Sequence, residues 1–340
     1  MNQANQAALI EKGNVRIYAC GGAGINIGSL FEEFRGFDDK GVAVAQPAYL
    51  DTARSNLKPN LKDEDIFILS DVLDGVDGSG KDRSANAAGI QRHMPAILQK
   101  LQPGYVNVVI CSASGGSGSV IAPVLVNNLL KEGKMVIVLC IGVAKTGKEI
   151  SNTLATMQSF ERVATATGKP VVMAYFENNK ETPPSKVDEA ATELITAISV
   201  LFSRENTGLD TMDMYKFLNF NDKVTSYPAH LAGLTMAHGE LVAEGSENVI
   251  SVATAAVNDD NVGVEFVVPY GCYGLLPAGV SQDVVGRAPL HLLTHAYAFN
   301  DLAKRLTDVK QGLERAAQSR VDESALKTGP VEGDDILVLD

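Results

Sequence analysis

Tryptophan is absent from this 340-residue chain, and cysteine occurs only four times. The cysteines, at positions 20, 111, 140 and 272, include no CxxC pair. We therefore predict free, partly buried thiols in a reducing cytosol rather than a disulfide framework. The sequence has no run of about 18 apolar residues, so no membrane span is expected. The polar segment Met1–Lys12 lacks the charged-then-apolar pattern of a signal peptide.

Positive charge is also scarce. Lysine and arginine total 29 against 41 aspartate and glutamate residues, which gives a net charge of −12. This balance disfavours a dedicated binder of nucleic acid or of anionic membranes, since such proteins need a positive surface. It does not disfavour nucleotides, because proteins often hold phosphates with backbone N–H groups.

Short apolar runs alternate with helical patterns over the first half of the chain. The runs predict strands at 15–20, 42–45, 66–69, 106–111, 135–141 and 171–176, with helices through 90–100, 120–130 and 154–165. Nearly continuous apolar strands are typical of a parallel sheet that is covered on both faces. The pattern predicts a doubly wound α/β unit, in which ligands bind at the carboxyl ends of the strands.

The second half is less regular. A helix from Val187 to Phe202 is apolar on most sides, which predicts burial. The segment 209–298 is rich in glycine and in strand-like runs, and it predicts a smaller α/β unit of unresolved element order. An apolar stripe from Phe299 to Leu313 predicts a long closing helix. Beyond Ser319 the composition is typical of a flexible tail.

Two segments match the GxxxxGK pattern of a P-loop, Gly75–Lys81 and Gly142–Lys148. A P-loop continues with Ser or Thr, whose hydroxyl binds Mg²⁺. Here the next residues are Asp82 and Glu149, whose carboxylates repel phosphate. We also expect neither segment to join a strand cleanly to a helix, so both are interpreted as surface loops.

Two other glycine-rich loops each follow a strand and open a helix, Gly21–Asn26 (GGAGIN) and Ser114–Ser119 (SGGSGS). The first begins a dinucleotide fingerprint, but Ile27 replaces its third glycine and no clear ribose-binding acid follows, which disfavours NAD. Two such loops on one sheet bring helix N-termini and backbone N–H groups around one anion. The pair predicts a phosphate site.

These loops resemble those of the tubulin/FtsZ superfamily, and most of all the spindle tubulins of large bacteriophages. SGGSGS is similar to the superfamily's phosphate loop, with Val120 in place of its final glycine. GGAGIN resembles the first nucleotide loop, and Asp51–Asn56 (DTARSN) resembles the second. The segment Gly75–Asn86 occupies the place of the loop that senses the γ-phosphate.

The resemblance continues over roughly residues 15–215. Val187-Asp188 is similar to the start of the superfamily's central helix, and Gly208–Asp213 (GLDTMD) is similar to its synergy loop, Asn-x-Asp-x-x-Asp. The resemblance implies a tubulin/FtsZ-like α/β fold with these divisions: a GTP-binding domain over 1–184, a connecting helix over 185–206, an activation domain over 207–298, a C-terminal helix over 299–319 and an acidic tail over 320–340.

The resemblance also implies GTP/GDP and Mg²⁺ as cofactors. The implied nucleotide contacts are Gly21, Gly22, Ala23, Gly24, Asn26, Asp51, Thr52, Asn56, Gly78, Ser79, Ser114, Gly115, Gly116, Ser117, Gly118, Ser119, Asn152 and Asp188. A carboxylate such as Asp188 suits guanine, because it accepts hydrogen bonds from both N1–H and the 2-amino group. Asp210 and Asp213 are the implied catalytic acids, which orient the attacking water in the neighbouring subunit; alternatively or in addition, they cap a helix.

No metal site made of protein ligands alone is predicted. His291 and His295 form H-x₃-H without the glutamate of a zinc-binding HExxH helix, and their segment favours a strand.

The implied function is a phage-encoded GTPase that assembles head-to-tail into filaments in the host cytoplasm and positions phage DNA or the replication compartment. The expected partner is a second copy, with no nucleic acid or membrane. Residues 321–340 carry six acids and one lysine, and we expect this tail to dock through Ile336–Leu339 on the next subunit, or else to be solvated. The alternatives are a segregation tubulin of the TubZ type and a monomeric Rossmann or P-loop enzyme.

Overall fold

The computed structural model describes residues 12–34, 44–72, 84–239, 248–257, 268–277 and 288–322. The strands are β1 (Asn14–Cys20), β2 (Val44–Asp51), β3 (Ile66–Ile68), β4 (Val106–Ser112), β5 (Met135–Val143), β6 (Val171–Asn178), β7 (Leu231–His238), β8 (Val249–Val257), β9 (Tyr270–Leu276) and β10 (Leu290–His295). The helices are α1 (Gly21–Gly28), α2 (Ser84–Lys100), α3 (Gly118–Lys131), α4 (Gly147–Thr167), α5 (Pro184–Leu201), α6 (Thr211–Leu218) and α7 (Asn300–Asp322).

In the described part of the chain the strands form one sheet in the order β3-β2-β1-β4-β5-β6-β7-β10-β8-β9. The first six strands are parallel, and β7 continues parallel to β6. Strand β10 is antiparallel to both β7 and β8, whereas β8 and β9 are parallel. The strand order reverses between β1 and β4, and the helices that follow these two strands lie on opposite faces of the sheet. Ligands bind in the crevice at such a position.

The predicted buried helix is α5, and it lies between the two halves of the molecule. Its buried residues Ala191 and Ile198 belong to one apolar cluster that also contains Val108 of β4 and Leu292 of β10. Helices α2, α3 and α4 cover the opposite face of the parallel strands. The residue after α5, Phe202, accepts a hydrogen bond from the Gly13 N–H before β1. The C-terminal end of α5 therefore lies at the amino ends of the parallel strands, and its N-terminal end points toward the crevice.

Several predicted elements differ in length from those observed. Helix α4 begins at Gly147 rather than near Leu154, because Thr146 and Glu149 form a capping box in a polar segment that carries no apolar periodicity. The segment with His291 is a strand, as expected, and the closing helix α7 is present. Residues 323–340 of the tail lie outside the described residues, and the division into domains stays a prediction.

All four cysteines are free and buried, Cys20, Cys111 and Cys140 completely and Cys272 with 5% of its surface exposed. Within the described ranges, no helix is long and apolar enough to cross a membrane.

Candidate nucleotide site

The two predicted phosphate loops touch each other at the carboxyl ends of β1 and β4. Gly21 has a φ of 72°, in the left-handed region that glycine tolerates best. A Cβ atom on Gly21 would lie 2.9 Å from the amide nitrogen of Gly118, and one on Gly118 would lie 2.4 Å from the carbonyl oxygen of Cys20. Because real Cβ atoms do not approach the backbone so closely, this contact requires glycine on both loops.

Helix α1 is also pressed against the sheet. A Cβ atom on Gly24 would lie 2.7 Å from the carbonyl oxygen of Ile110 in β4. Ala23 is partly exposed and Asn26 is exposed on the same helix. The N-terminus of α1 thus opens directly at the crevice, where its N–H groups and dipole favour an anion.

The segment Asp51–Asn56, the predicted second nucleotide loop, contacts both glycine-rich loops. The Thr52 and Ser117 hydroxyl oxygens are 2.7 Å apart. The buried carboxylate of Asp51 accepts hydrogen bonds from the Thr52 N–H and from Asn56 Nδ2, each at 2.7 Å. The side chain of Asn56 lies over Gly22, where a Cβ atom would be 3.0 Å from its Oδ1. Three loops that are distant in sequence therefore form one cradle.

The phosphate loop is braced from within. Ser119 Oγ donates to the carbonyl oxygen of Gly115 at 2.6 Å and approaches that of Gly116 at 3.4 Å. Asn152 Nδ2, from α4, donates to the carbonyl oxygen of Ser114 at 3.1 Å. In this arrangement Ser119 and Asn152 shape the loop.

Asp188 lies in the first turns of α5, close to the C-terminal part of α1. Lys58 Nζ donates to Ser29 Oγ at 2.6 Å and to the carbonyl oxygen of Asn26 at 3.5 Å. Partial burial raises the pKa of Asp188, and the positive charge of Lys58 lowers it in part. The structure thus brings Asn26 and Asp188 to one side of the crevice. Sequence reasoning missed Lys58, because a lysine two residues beyond the second loop belongs to no motif.

The segment Gly142–Lys148 does join a strand to a helix, contrary to expectation, since β5 runs to Val143 and α4 opens at Gly147. It is still not a P-loop. The Glu149 carboxylate accepts hydrogen bonds from the N–H and hydroxyl of Thr146, each at 3.0 Å, so an acid already occupies this helix N-terminus. A Cβ atom on Gly142 would lie 1.8 Å from the Tyr175 hydroxyl, so β5 approaches this side chain of β6 closely at the glycine.

The other GxxxxGK segment, with the predicted contacts Gly78 and Ser79, lies in 73–83, outside the described residues.

The two candidate catalytic acids form a capping box at the start of α6. The Asp210 side chain accepts a hydrogen bond from the Asp213 N–H at 2.8 Å, and the Asp210 N–H donates to Asp213 Oδ2 at 3.4 Å. The Asp213 N–H holds the pKa of Asp210 below its usual range. Asp210 is exposed and Asp213 is half-buried. The capping role is therefore observed, and it leaves the Asp210 carboxylate accessible and ionised.

These acids lie at the opposite edge of the sheet from the glycine loops. Lys12, which precedes β1, donates to the carbonyl oxygen of Leu209 at 2.6 Å, and Tyr105, which precedes β4, donates to Thr211 Oγ1 at 3.0 Å. Strands β1 and β4 are seven residues long, which corresponds to about 20 Å at about 3.3 Å per residue. One chain does not bring the acids and the phosphate cradle together.

The two histidines are engaged in the sheet instead of forming a metal site. His291 Nε2–H donates to the carbonyl oxygen of Gly239 at 2.7 Å, and its Nδ1 accepts from the Thr254 hydroxyl at 2.9 Å. His295 Nε2 lies 2.6 Å from Thr235 Oγ1. Among the residues that the structure describes, no group of three or more potential ligands is arranged for a metal ion.

Comparison with known proteins agrees with this geometry, although no protein-family model matches the chain. The chain is 29% identical over 328 residues to a phage tubulin-like protein of Pseudomonas phage phiKZ, covering 94% of this chain and 96% of that protein. Over almost its whole length the chain is therefore similar to phage tubulin-like proteins.

Solved structures show the same relationship. A protofilament of TubZ from bacteriophage PhiKZ superposes with a TM-score of 0.81 at 27% identity, covering 94% of this chain and 96% of that one. The phage tubulin PhuZ with GDP superposes with a TM-score of 0.80 at 19% identity, covering 96% and 98%. The tubulin/FtsZ-like fold expected from the loop motifs is confirmed, and it argues against the alternative of a Rossmann or P-loop enzyme.

Proposed function

We propose that the protein binds GTP and GDP in the cradle and hydrolyses GTP within head-to-tail filaments of its own copies. The observation that carries the proposal is the separation of the glycine loops and the acids to opposite edges of the sheet. A complete site then arises only where the Asp210 edge of one copy covers the cradle of the next. Contacts of this heterologous kind that do not close produce filaments.

The cradle suits a guanine nucleotide. Backbone N–H groups at the N-termini of α1 and α3 bind phosphate oxygens, and the adjacent glycines let the chain approach them closely. The Asp188 carboxylate accepts hydrogen bonds from guanine N1–H and the 2-amino group, whereas adenine offers no such pair of donors. The GDP-bound phage tubulin, which shares the fold, supports this choice.

Mg²⁺ fits the oxygen-rich contact between the second loop and the phosphate loop. Magnesium in nucleotide sites binds chiefly to phosphate oxygens and to few protein oxygens. The Thr52 and Ser117 hydroxyls, 2.7 Å apart, are the protein oxygens placed to complete such a shell. The ion neutralises charge on the phosphates when it is bound.

Hydrolysis depends on the neighbouring copy. Phosphoryl transfer requires mainly positioning and charge neutralisation, and an ionised carboxylate orients a water molecule through hydrogen bonds. Asp210 is exposed and has a lowered pKa, so its carboxylate is ionised at neutral pH. Asp213 is fixed beside it by the capping box.

The protofilament of the PhiKZ protein supports the assembly step. We propose further that the filaments form in the cytoplasm of an infected bacterium and position phage DNA or the replication compartment, as the phage origin of the relatives suggests.

The proposal is tested by phosphate release and light scattering as functions of protein concentration. We expect GTP turnover per molecule to rise with concentration, together with polymer mass. A turnover per molecule that is constant from dilute to concentrated solution would contradict a site shared between copies. Asp210→Ala is expected to keep GTP binding and to accumulate stable polymer, and normal hydrolysis by this variant would remove Asp210 from the mechanism.

A further inference from the structure

Lys12 lies just before β1, at the amino ends of the parallel strands. Its ammonium group donates to two backbone carbonyls, those of Asn206 and Leu209, the second at 2.6 Å. Both belong to the loop between α5 and α6, which ends at Asp210. Burial lowers the pKa of Lys12, and the nearby Asp210 carboxylate opposes this shift. Neither nucleotide binding nor the capping box uses this side chain.

The backbone of Lys12 is held by the same loop. The Lys12 carbonyl accepts a hydrogen bond from Arg204 Nε at 2.9 Å, and the Gly13 N–H donates to the carbonyl oxygen of Phe202 at 2.9 Å. Lys12 therefore has its backbone tied to the start of the loop and its side chain tied to the end. Such an arrangement fixes the distance between the end of α5 and Asp210.

Strand β9 fixes the middle of the loop. The Thr207 N–H donates to the carbonyl oxygen of Leu275 at 3.0 Å. A Cβ atom on Gly208 would lie 2.7 Å from the carbonyl oxygen of Tyr273, so the loop approaches the strand closely. Beyond Gly208 the chain leaves β9. The Leu209 side chain is buried in the apolar cluster around α5, and its carbonyl oxygen, directly before Asp210, accepts the hydrogen bond from Lys12.

We propose that Lys12 is a positioning residue for hydrolysis, which fixes Asp210 at the place where it meets the nucleotide of the neighbouring copy. The inference rests on the proposed function. A lysine ammonium has three donors and a compact charge, so it satisfies both carbonyls and leaves positive charge beside Asp210. That charge offsets repulsion between the acids and the neighbour's triphosphate.

Removing the Lys12 ammonium group leaves two carbonyl oxygens without this donor and loosens the backbone directly before Asp210. Because a displacement of about 1 Å at a catalytic group costs up to about a hundredfold in rate, we expect Lys12→Met to lower GTP turnover per polymerised subunit by about tenfold or more. GTP affinity is set at the opposite edge of the sheet, and we expect it to be unchanged. The critical concentration for assembly is also expected to stay near the wild-type value.

The experiment measures turnover per polymerised subunit by pelleting and phosphate release, alongside critical concentration and binding of a fluorescent GTP analogue. Lys169→Met is the matched control, since Lys169 Nζ contacts the Tyr215 hydroxyl in the middle of α6 at 3.1 Å, whereas Lys12 Nζ contacts the loop directly before Asp210. We expect wild-type turnover from this control.

One result would overturn the inference. It is wild-type turnover per polymerised subunit in Lys12→Met, and if the critical concentration is raised at the same time, the contact is purely structural. Where methionine prevents folding, Lys12→Gln replaces it, because a polar side chain one atom shorter tolerates the half-buried site without reaching both carbonyls. Its turnover is also expected to fall, and a wild-type value would overturn the inference.

The wild-type measurement separates this inference from the proposed function. Turnover that does not depend on assembly in the wild type contradicts the shared site itself. Assembly-dependent turnover in the wild type, with unaffected Lys12 variants, contradicts only the role of Lys12.

Discussion

The two edges of the parallel sheet are built in different ways. At the carboxyl edge, three loops meet through backbone contacts so close that glycine is required, as between Gly21 and Gly118. At the amino edge, charged and hydroxyl side chains hold one loop and one helix N-terminus through hydrogen bonds. The first edge is arranged to surround an anion, and the second presents an anion outward. In the proposed function neither edge is a complete catalytic site, and the two edges complement each other between copies.

The largest effect is expected at the carboxyl edge. Gly118→Ala places a Cβ atom 2.4 Å from the Cys20 carbonyl oxygen, and overpacking of this kind destabilises by about 1–3 kcal/mol. We expect GTP binding to be lost, as measured by titration with a fluorescent analogue. Gly147→Ala is the control, because a Cβ atom there meets nothing within 4 Å. If Gly118→Ala and Gly147→Ala bind GTP equally well, the contact between the two loops is not needed to form the cradle.

The next effect concerns the amino edge. Asp210→Asn keeps a good N-cap, since asparagine caps helices as well as aspartate does, but it removes the charge that orients water. We expect thermal stability near that of the wild type and GTP turnover at least about tenfold lower. If GTP turnover changes only as much as thermal stability does, Asp210 acts only as the cap of α6.

A smaller effect is expected at the base contact. Asp188→Asn replaces an acceptor for two donors by one acceptor and one donor, and hydrogen bonds to charged groups contribute about 1.5–3 kcal/mol. We expect GTP affinity to fall by about tenfold to a hundredfold and xanthosine triphosphate to bind instead, because xanthine carries an oxygen at position 2. Unchanged preference for GTP in competition binding would place the base elsewhere.

The smallest effect is a shift in pH dependence. Burial raises the pKa of Asp188 and Lys58 lowers it in part, so removing Lys58 raises that pKa further. The ionised carboxylate binds guanine, and affinity therefore falls as the pH decreases through this pKa. We expect Lys58→Met to move the acidic fall in GTP affinity to higher pH. If calorimetry gives the same pH profile for the variant and the wild type, Lys58 does not influence the protonation of Asp188.

The features of the carboxyl edge were easier to predict from the sequence than those of the amino edge. The glycine loops were predictable, since close backbone contact leaves a residue-type signature after each strand. Lys58 and Lys12 were not, because each acts on backbone carbonyls that are remote in sequence and belong to no motif. The early start of α4 was missed because a capping box defines it rather than apolar periodicity. The strand order after Leu209 depends on long-range pairing, which short strand patterns do not encode.

The central claim, a site shared between two copies, is tested most directly by mixing Asp210→Asn with Asp188→Asn in the presence of both GTP and xanthosine triphosphate. The first variant binds GTP but lacks the acid, and the second keeps the acid but binds GTP about tenfold to a hundredfold more weakly. The GTP concentration is chosen to saturate the first variant and not the second, so each alone is expected to hydrolyse GTP slowly, while Asp188→Asn alone hydrolyses the xanthosine nucleotide as a control. We expect GTP hydrolysis in the mixture to exceed the sum of the separate variants, because the Asp210 edge of one variant covers the cradle of the other. Copolymers of the two variants that release no more phosphate from GTP than the separate variants would contradict the account.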